Sequence, residues 1–167
     1  MAAEVLVTGG SKLQRQVLTE ACDYYVTRLL GYQLSREIVV VVKIRKNLME
    51  QENSKADCIW DDDEDMPREF EIRLDADLTI MAMLRCLAHE CVHVAQYASG
   101  KMKDTNSIQV TKWNGKKIDR RGIDYFDLPW ELEAYGQEFG LMDRFINAKG
   151  YSKKKWYADP DFATSSV

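Results

Sequence analysis

Apolar positions along the chain change their period several times, and each change marks an element. Leu13, Val17, Leu18, Ala21, Tyr24, Tyr25 and Leu29 recur every three or four residues. That spacing predicts a helix with one apolar face, with Ser11 as its N-cap and Gly31 as the residue that stops it. Residues 1–10 read as a tail or a short extended lead-in. The run Ile38-Val39-Val40-Val41-Val42, followed by Ile44, is short and β-branched. It predicts a strand over Arg36 to Arg45 that is buried on both faces. Ala56 to Trp60 is a possible second strand. From Glu69 to Leu74 the residues Phe70, Ile72 and Leu74 alternate with polar ones, as in a half-buried strand. Residues 36–75 therefore predict a small sheet, with an acidic hairpin tip between its last two strands.

Helical spacing then returns. Leu84, Leu87, Ala88, Cys91, Val92 and Ala95 form one wide apolar face, while Ala82, Cys86, His89, His93 and Tyr97 fall roughly opposite. Asp75 or Asp77 is the expected cap of this second helix, and Gly100 its end. Asn114-Gly115, between extended segments containing Val110 and Ile118, is a strong signal for a type I′ hairpin. Tyr125 to Trp130 leads into a third helix, with Pro129 in the first turn and Gly150 at the stop. Tyr151 to Val167 reads as a C-terminal tail. The pattern predicts an α+β fold in a single domain over residues 1–150, with a small mixed sheet packed against the second helix and two further main helices.

Composition narrows the class. The 167 residues are 46% hydrophobic and 30% charged, ordinary for one globular domain with a real core. A net charge of −4 gives no general reason to expect a nucleic-acid partner. Lys153-Lys154-Lys155 with Trp156 is the one basic cluster weighed for that role, and it reads as a solvated tail. The acidic run Asp61 to Asp65 reads as a solvated turn. It lacks the glycine and the ligand spacing of a calcium-binding EF-hand loop. No signal peptide is visible, and the longest apolar run is far too short to span a bilayer. The four cysteines include no C-x-x-C pair and read as reduced thiols of a cytoplasmic protein.

Both histidines of the chain stand in one motif, His89-Glu90-Cys91-Val92-His93, the pattern H-E-x-x-H. On a helix, positions i and i+4 lie on one face, so His89 and His93 can grip one metal ion. Glu90 sits about 100° further round. It can act on a water there as general base without taking a coordination place. Catalytic zinc uses three protein ligands and keeps one position open. No third histidine exists, so an acid or a cysteine must serve. The third helix opens Trp130-Glu131-Leu132-Glu133-Ala134-Tyr135. If Tyr135, Phe139, Met142, Phe145 and Ile146 mark its buried face, Glu131 falls near the middle of that face. Glu133 then falls almost opposite, beside Gln137, Gly140 and Arg144. A buried carboxylate needs a partner, so Glu131 is the expected ligand and Glu133 the runner-up. Cys86, one turn before His89, could approach the metal and reads instead as a core thiol.

These residues resemble the gluzincin group of zinc metallopeptidases. Members carry H-E-x-x-H on one helix and a glutamate on a later helix, in patterns akin to the Glu131, Glu133 and Ala134 of this chain. Small soluble zincins of the IrrE/ImmA-like, SprT-like and phage-encoded types are similar in size. The resemblance implies a zincin-like fold, zinc on His89, His93 and Glu131, a protein or peptide substrate, and hydrolysis with Glu90 as general base. The first glutamate of the later pattern is the family's third ligand, in agreement with the helical phase. Tyr125 and Tyr135 are candidates for stabilising the oxyanion. The alternative is a non-catalytic interaction module that keeps the metal on a zincin scaffold, and an intact Glu90 argues against it.

Overall fold

The computed structural model describes residues 1–60 and 65–158. Residues 61–64 of the acidic turn expected at 61–65 and the Ser-rich end lie outside the described residues.

The lead-in before the first helix is a strand. β1 (Glu4–Thr8) pairs in parallel with β2 (Val39–Arg45), and β2 pairs in parallel with β4 (Glu69–Asp75). The last strand, β3 (Ala56–Trp60), runs antiparallel to β4 at the edge, giving the order β1-β2-β4-β3. The hairpin expected between 56 and 74 is therefore present, and the fold is α+β with a small mixed sheet. The expectation that β2 is buried on both faces is overturned. Val40, Val42 and Ile44 enter the core, whereas Val39, Val41 and Lys43 are only half-buried. On that second face, Lys43 pairs with Glu71 at 2.5 Å. Helices cover one face of the sheet only, so the side chains of β2 alternate in burial.

α1 (Lys12–Ser35) joins the parallel strands β1 and β2. Its capping box is complete. The Ser11 hydroxyl accepts from the Gln14 N–H, and the Gln14 side chain accepts from the Ser11 N–H. Gly31 interrupts the helix rather than ending it. Its φ of 75° breaks the ladder, and the chain resumes a further turn as far as Ser35. A short α2 (Leu48–Glu52), which the apolar pattern does not announce, lies in the crossover between β2 and β3.

α3 (Ile80–Ala98) is the central helix, packed against α1, β3, β4 and α4 (Pro129–Lys149). Neither expected aspartate caps it. Thr79 does, accepting from the Ala82 N–H at 3.2 Å. Asp75 still belongs to β4, and its buried carboxylate instead accepts from the N–H groups of Met49 and Asp77. Tyr97 keeps its expected face, one turn beyond His93, and lines a cavity with it. Its ring is buried and stacks on Trp60 with centroids 4.0 Å apart, while its hydroxyl donates to Asp104.

A second sheet follows α3, with β5 (Met102–Asp104), β6 (Val110–Trp113) and β7 (Lys116–Asp119) in antiparallel order. The Asn114-Gly115 turn joins β6 to β7 with both residues at positive φ, as a type I′ hairpin requires. Of the expected tail, residues 151–158 instead fold back on the body. α5 (Lys155–Ala158) buries Trp156, whose ring packs edge-on against Tyr151, which in turn meets Phe145. An aromatic side chain this large gains more from burial than a solvated tail can offer. Among the described residues no helix is long and apolar enough to cross a membrane.

Candidate metal centre

α3 and α4 pack side by side, and their facing surfaces bring His89, His93 and Glu131 together among other buried polar side chains, Glu90, Gln96 and Glu138. His89 Nε2 lies 3.2 Å from His93 Nε2 and 3.2 Å from Glu131 Oε2. His93 Nε2 lies 3.6 Å from Glu131 Oε1. Ligand atoms placed about 2.0 Å from a tetrahedral ion stand about 3.3 Å apart. The triangle is therefore of the size such an ion demands, and these three residues could hold a metal.

The outer hydrogen bonds say which atoms are free to bind. His89 Nδ1 faces Glu138 Oε2 at 2.9 Å, and a carboxylate only accepts, so Nδ1 carries the proton. His93 Nδ1 faces Gln96 Oε1 at 2.8 Å. The amide nitrogen of Gln96 donates to the Trp130 carbonyl and to Glu133 Oε2, both at 3.0 Å. That fixes its oxygen toward His93, which donates to it. In the neutral rings both Nε2 lone pairs thus point at each other and at a carboxylate. Such a cluster is stable only around positive charge, whether a cation or protons on the imidazoles. Electrostatics agree. Burial alone would lower the His89 and His93 imidazoles, but the Glu131 and Glu90 carboxylates outweigh it and hold both above their ordinary value. Burial pushes Glu131 up, and the two histidines overcome it, bringing its carboxyl down to about 2.

Glu131 occupies the place expected from helical phase, at 5% exposure, although the face used to find it needs correction. Tyr135 and Phe139 are not buried. They are 42% and 61% exposed, Tyr135 on the wall of the cleft, and the buried line of α4 runs through Trp130, Ala134, Glu138, Leu141 and Phe145. Glu133 does not reach the triangle. It pairs with Lys101 and supports Gln96. Cys86 is half-buried and lies outside the triangle as well.

Glu90 is 7% exposed and lines a cavity of about 510 Å³ together with His89, Cys86, Tyr125 and Tyr135. Burial is the main cause that lifts its carboxyl to about 7, against the pull of His93 and His89. A smaller cavity of about 220 Å³ opens on the His93 and Glu131 side, between Trp60, Leu128 and Trp130. Tyr125 lines both cavities, and burial, followed by its hydrogen bond to Glu131, raises its hydroxyl. Tyr135 lies on the His89 side, its ring centroid 4.5 Å from the imidazole.

Two residues of the centre escaped the sequence reading, Glu138 and Gln96. Spacing could have found both. Glu138 stands seven residues after Glu131, two turns along one helix line, and Gln96 stands three after His93. Compared with known proteins, the chain matches no family model, no curated protein and no solved structure.

Proposed function

We propose that the chain is a zinc-dependent peptidase of gluzincin type. The observation that carries this reading is the convergence of two imidazole Nε2 atoms and one carboxylate within 3.6 Å, each imidazole held by an acceptor at its far nitrogen. Two nitrogens and an oxygen suit zinc, and three protein ligands are the number that leaves a position open. When bound, zinc supplies Lewis acidity to a water and to the scissile carbonyl.

The remaining steps belong to the chain. Glu90 is buried beside the triangle and takes a proton from the attacking water. It passes that proton to the leaving amine. A carboxyl poised near neutrality suits both transfers. Tyr125, on the border of the two cavities, is placed to donate to the carbonyl oxygen as charge develops there, and Tyr135 approaches from the His89 side. β3 supports a peptide substrate. It is the edge strand nearest the centre, with Ala56 on the larger cavity and Cys58 and Trp60 on the smaller. An extended chain added to that edge would pass the triangle.

The test is metal analysis combined with turnover. Purified protein should carry about one zinc per chain. Glu90→Gln should keep that zinc and lose at least about 100-fold in hydrolysis of a mixed peptide library. Equal turnover by wild type and variant would sink the reading.

A further inference from the structure

The wall that α4 and the turn before it give to the larger cavity is aromatic and uncovered. Tyr125 and Phe126 are 52% and 61% exposed, beside the half-exposed Tyr135. Their rings touch in sequence. Tyr125 meets Phe126 edge-on with centroids 5.4 Å apart, and Phe126 meets Tyr135 at 5.5 Å. Tyr135 in turn lies 4.5 Å from the imidazole of His89. A chain of rings thus leads from a candidate metal ligand out to the surface.

Phe126 takes no part in the proposed hydrolysis, and it lies outside the core. Its place is nonetheless fixed. Asp124 Oδ1 accepts from the Phe126 N–H at 3.0 Å, and the Leu128 N–H donates to the Tyr125 carbonyl at 3.2 Å. The buried Leu128 side chain pins the end of this turn. Such backbone bonds ask nothing of the side chain at 126, and a polar residue would serve the turn as well. An exposed apolar patch of this kind marks a binding surface. Elsewhere the lining of the cavity is polar, with Asn53, Ser54 and Lys55.

We infer that Phe126 and Tyr135 form a subsite for an aromatic side chain of the substrate. The inference rests on the peptidase reading and adds which peptides the site takes. Phe126 lies within about 10 Å of the His89 ring, and an extended chain advances about 3.3 Å per residue. The aromatic side chain therefore belongs within about three residues of the bond that is cut. The patch is continuous with the cavity, so a peptide that fills the cavity lies against it. A ring placed there gains both burial and edge or stacked contact with its neighbours. A second copy of the chain fits less well. Even with Leu132 and Phe139 included, the exposed apolar face amounts to about 500 Å². Each partner of a stable interface contributes roughly 800 Å². An anionic lipid surface is opposed by Asp124 and Asp127, the exposed acids on either side of Phe126.

The experiment follows labelled eight-residue Gly-Ser peptides by anisotropy, one carrying a single phenylalanine and one a single alanine. They are bound to Glu90→Gln protein, which keeps the cavity without cutting. The phenylalanine peptide should bind about 10-fold more tightly than the alanine peptide. Adding Phe126→Ser should remove that difference and leave the alanine peptide unchanged, whereas Phe126→Tyr should retain it. Phe139→Ser, one turn beyond Tyr135 and equally exposed, should change neither. In a mixed peptide library, wild type should cut within three residues of aromatic side chains. Phe126→Ser should lose that enrichment and still cut peptides that have none. The inference is overturned by equal binding of the two peptides, or by a preference that survives Phe126→Ser or falls equally in Phe139→Ser. It is also overturned by a dimeric wild type that Phe126→Ser makes monomeric, or by anionic lipid vesicles that bind wild type and not Phe126→Ser. Phe126-dependent binding without any hydrolysis would support the subsite and remove the peptidase reading alone. Hydrolysis without aromatic enrichment would do the reverse.

Discussion

His89 donates its Nδ1 proton to Glu138 at 2.9 Å, and the other oxygen of that carboxylate accepts from Arg85 Nε at 2.6 Å. The pair crosses from α3 to α4 and fixes which imidazole nitrogen faces the triangle. It also raises the basicity of that nitrogen. Because Glu138 is 4% exposed, the arrangement is held against competing water.

Glu138→Gln keeps an acceptor at roughly the same place and removes the charge, whereas Glu138→Ala removes both. Zinc affinity, measured by competition with a chromogenic chelator, should fall about 10-fold in the first variant and about 100-fold in the second. Unchanged affinity in Glu138→Ala would show that the tautomer of His89 is set by something else.

Glu131→Ala should lose stoichiometric zinc, because two histidines alone leave the ion under-coordinated. Glu133→Ala should keep it. Its expected cost is about 1 kcal/mol of stability, since Gln96 loses one acceptor and Lys101 its partner. Metal content by mass spectrometry and a thermal melt on each variant check the pair. Zinc lost from Glu133→Ala and retained in Glu131→Ala would reverse the assignment.

How far the sequence disclosed this centre depends on which link is considered. His89, Glu90 and His93 were legible because i, i+4 geometry is local to one helix. Glu131 was found from helical phase although two of its markers, Tyr135 and Phe139, prove exposed. The phase survived because Met142, Phe145 and Ile146 belong to the buried side. Tyr135 misled because a cleft exposes a ring that a closed core would bury, and nothing in the structure explains the exposure of Phe139. Spacing puts Glu138 on the line of Glu131 and Gln96 beside His93, but which imidazole nitrogen each would meet depends on how the two helices face each other, and that is a tertiary fact. Similarly, Thr79 displaced the aspartates as cap because β4 extends through Asp75. β5 and α2 are too short to leave a period in the sequence.

On the proposed function, zinc and protons would compete for the same two nitrogens, and this gives a pH dependence of definite sign. In the metal-free protein both imidazoles lie above 6.5, so their share of stability is complete below 6.5 and is lost as pH rises through the raised values. Glu131, lowered to about 2, contributes above 4.5 and loses that contribution as pH falls through about 2. Zinc works in the opposite sense, because binding must displace the imidazole protons. The zinc-induced rise in melting temperature should therefore be small at pH 5.5 and grow toward pH 8, while the metal-free protein loses stability over the same interval. A zinc shift independent of pH would mean that His89 and His93 do not bind the ion.

Glu90 supplies the last prediction, because its chemistry and its cost to the fold arise from the same burial. Its folded carboxyl lies at about 7, raised first by burial, so ionisation above that pH is unfavourable by comparison with the unfolded chain. An acid with a raised pKa binds more protons when folded, and stability falls as pH rises from 4.5 through about 7. Glu90→Gln removes the charge and keeps the shape. In metal-free protein at pH 8 it should stabilise by on the order of 2 kcal/mol, several degrees in melting temperature for a domain of this size. At pH 5 the gain should shrink to a fraction of that, since the folded carboxyl is then neutral and only the ionisation of the unfolded chain above 4.5 still counts against wild type. Paired melts of wild type and Glu90→Gln at the two pH values decide it. An equal gain at both would attribute the effect to packing, and no gain at pH 8 would show that the carboxylate is solvated well enough to ionise freely.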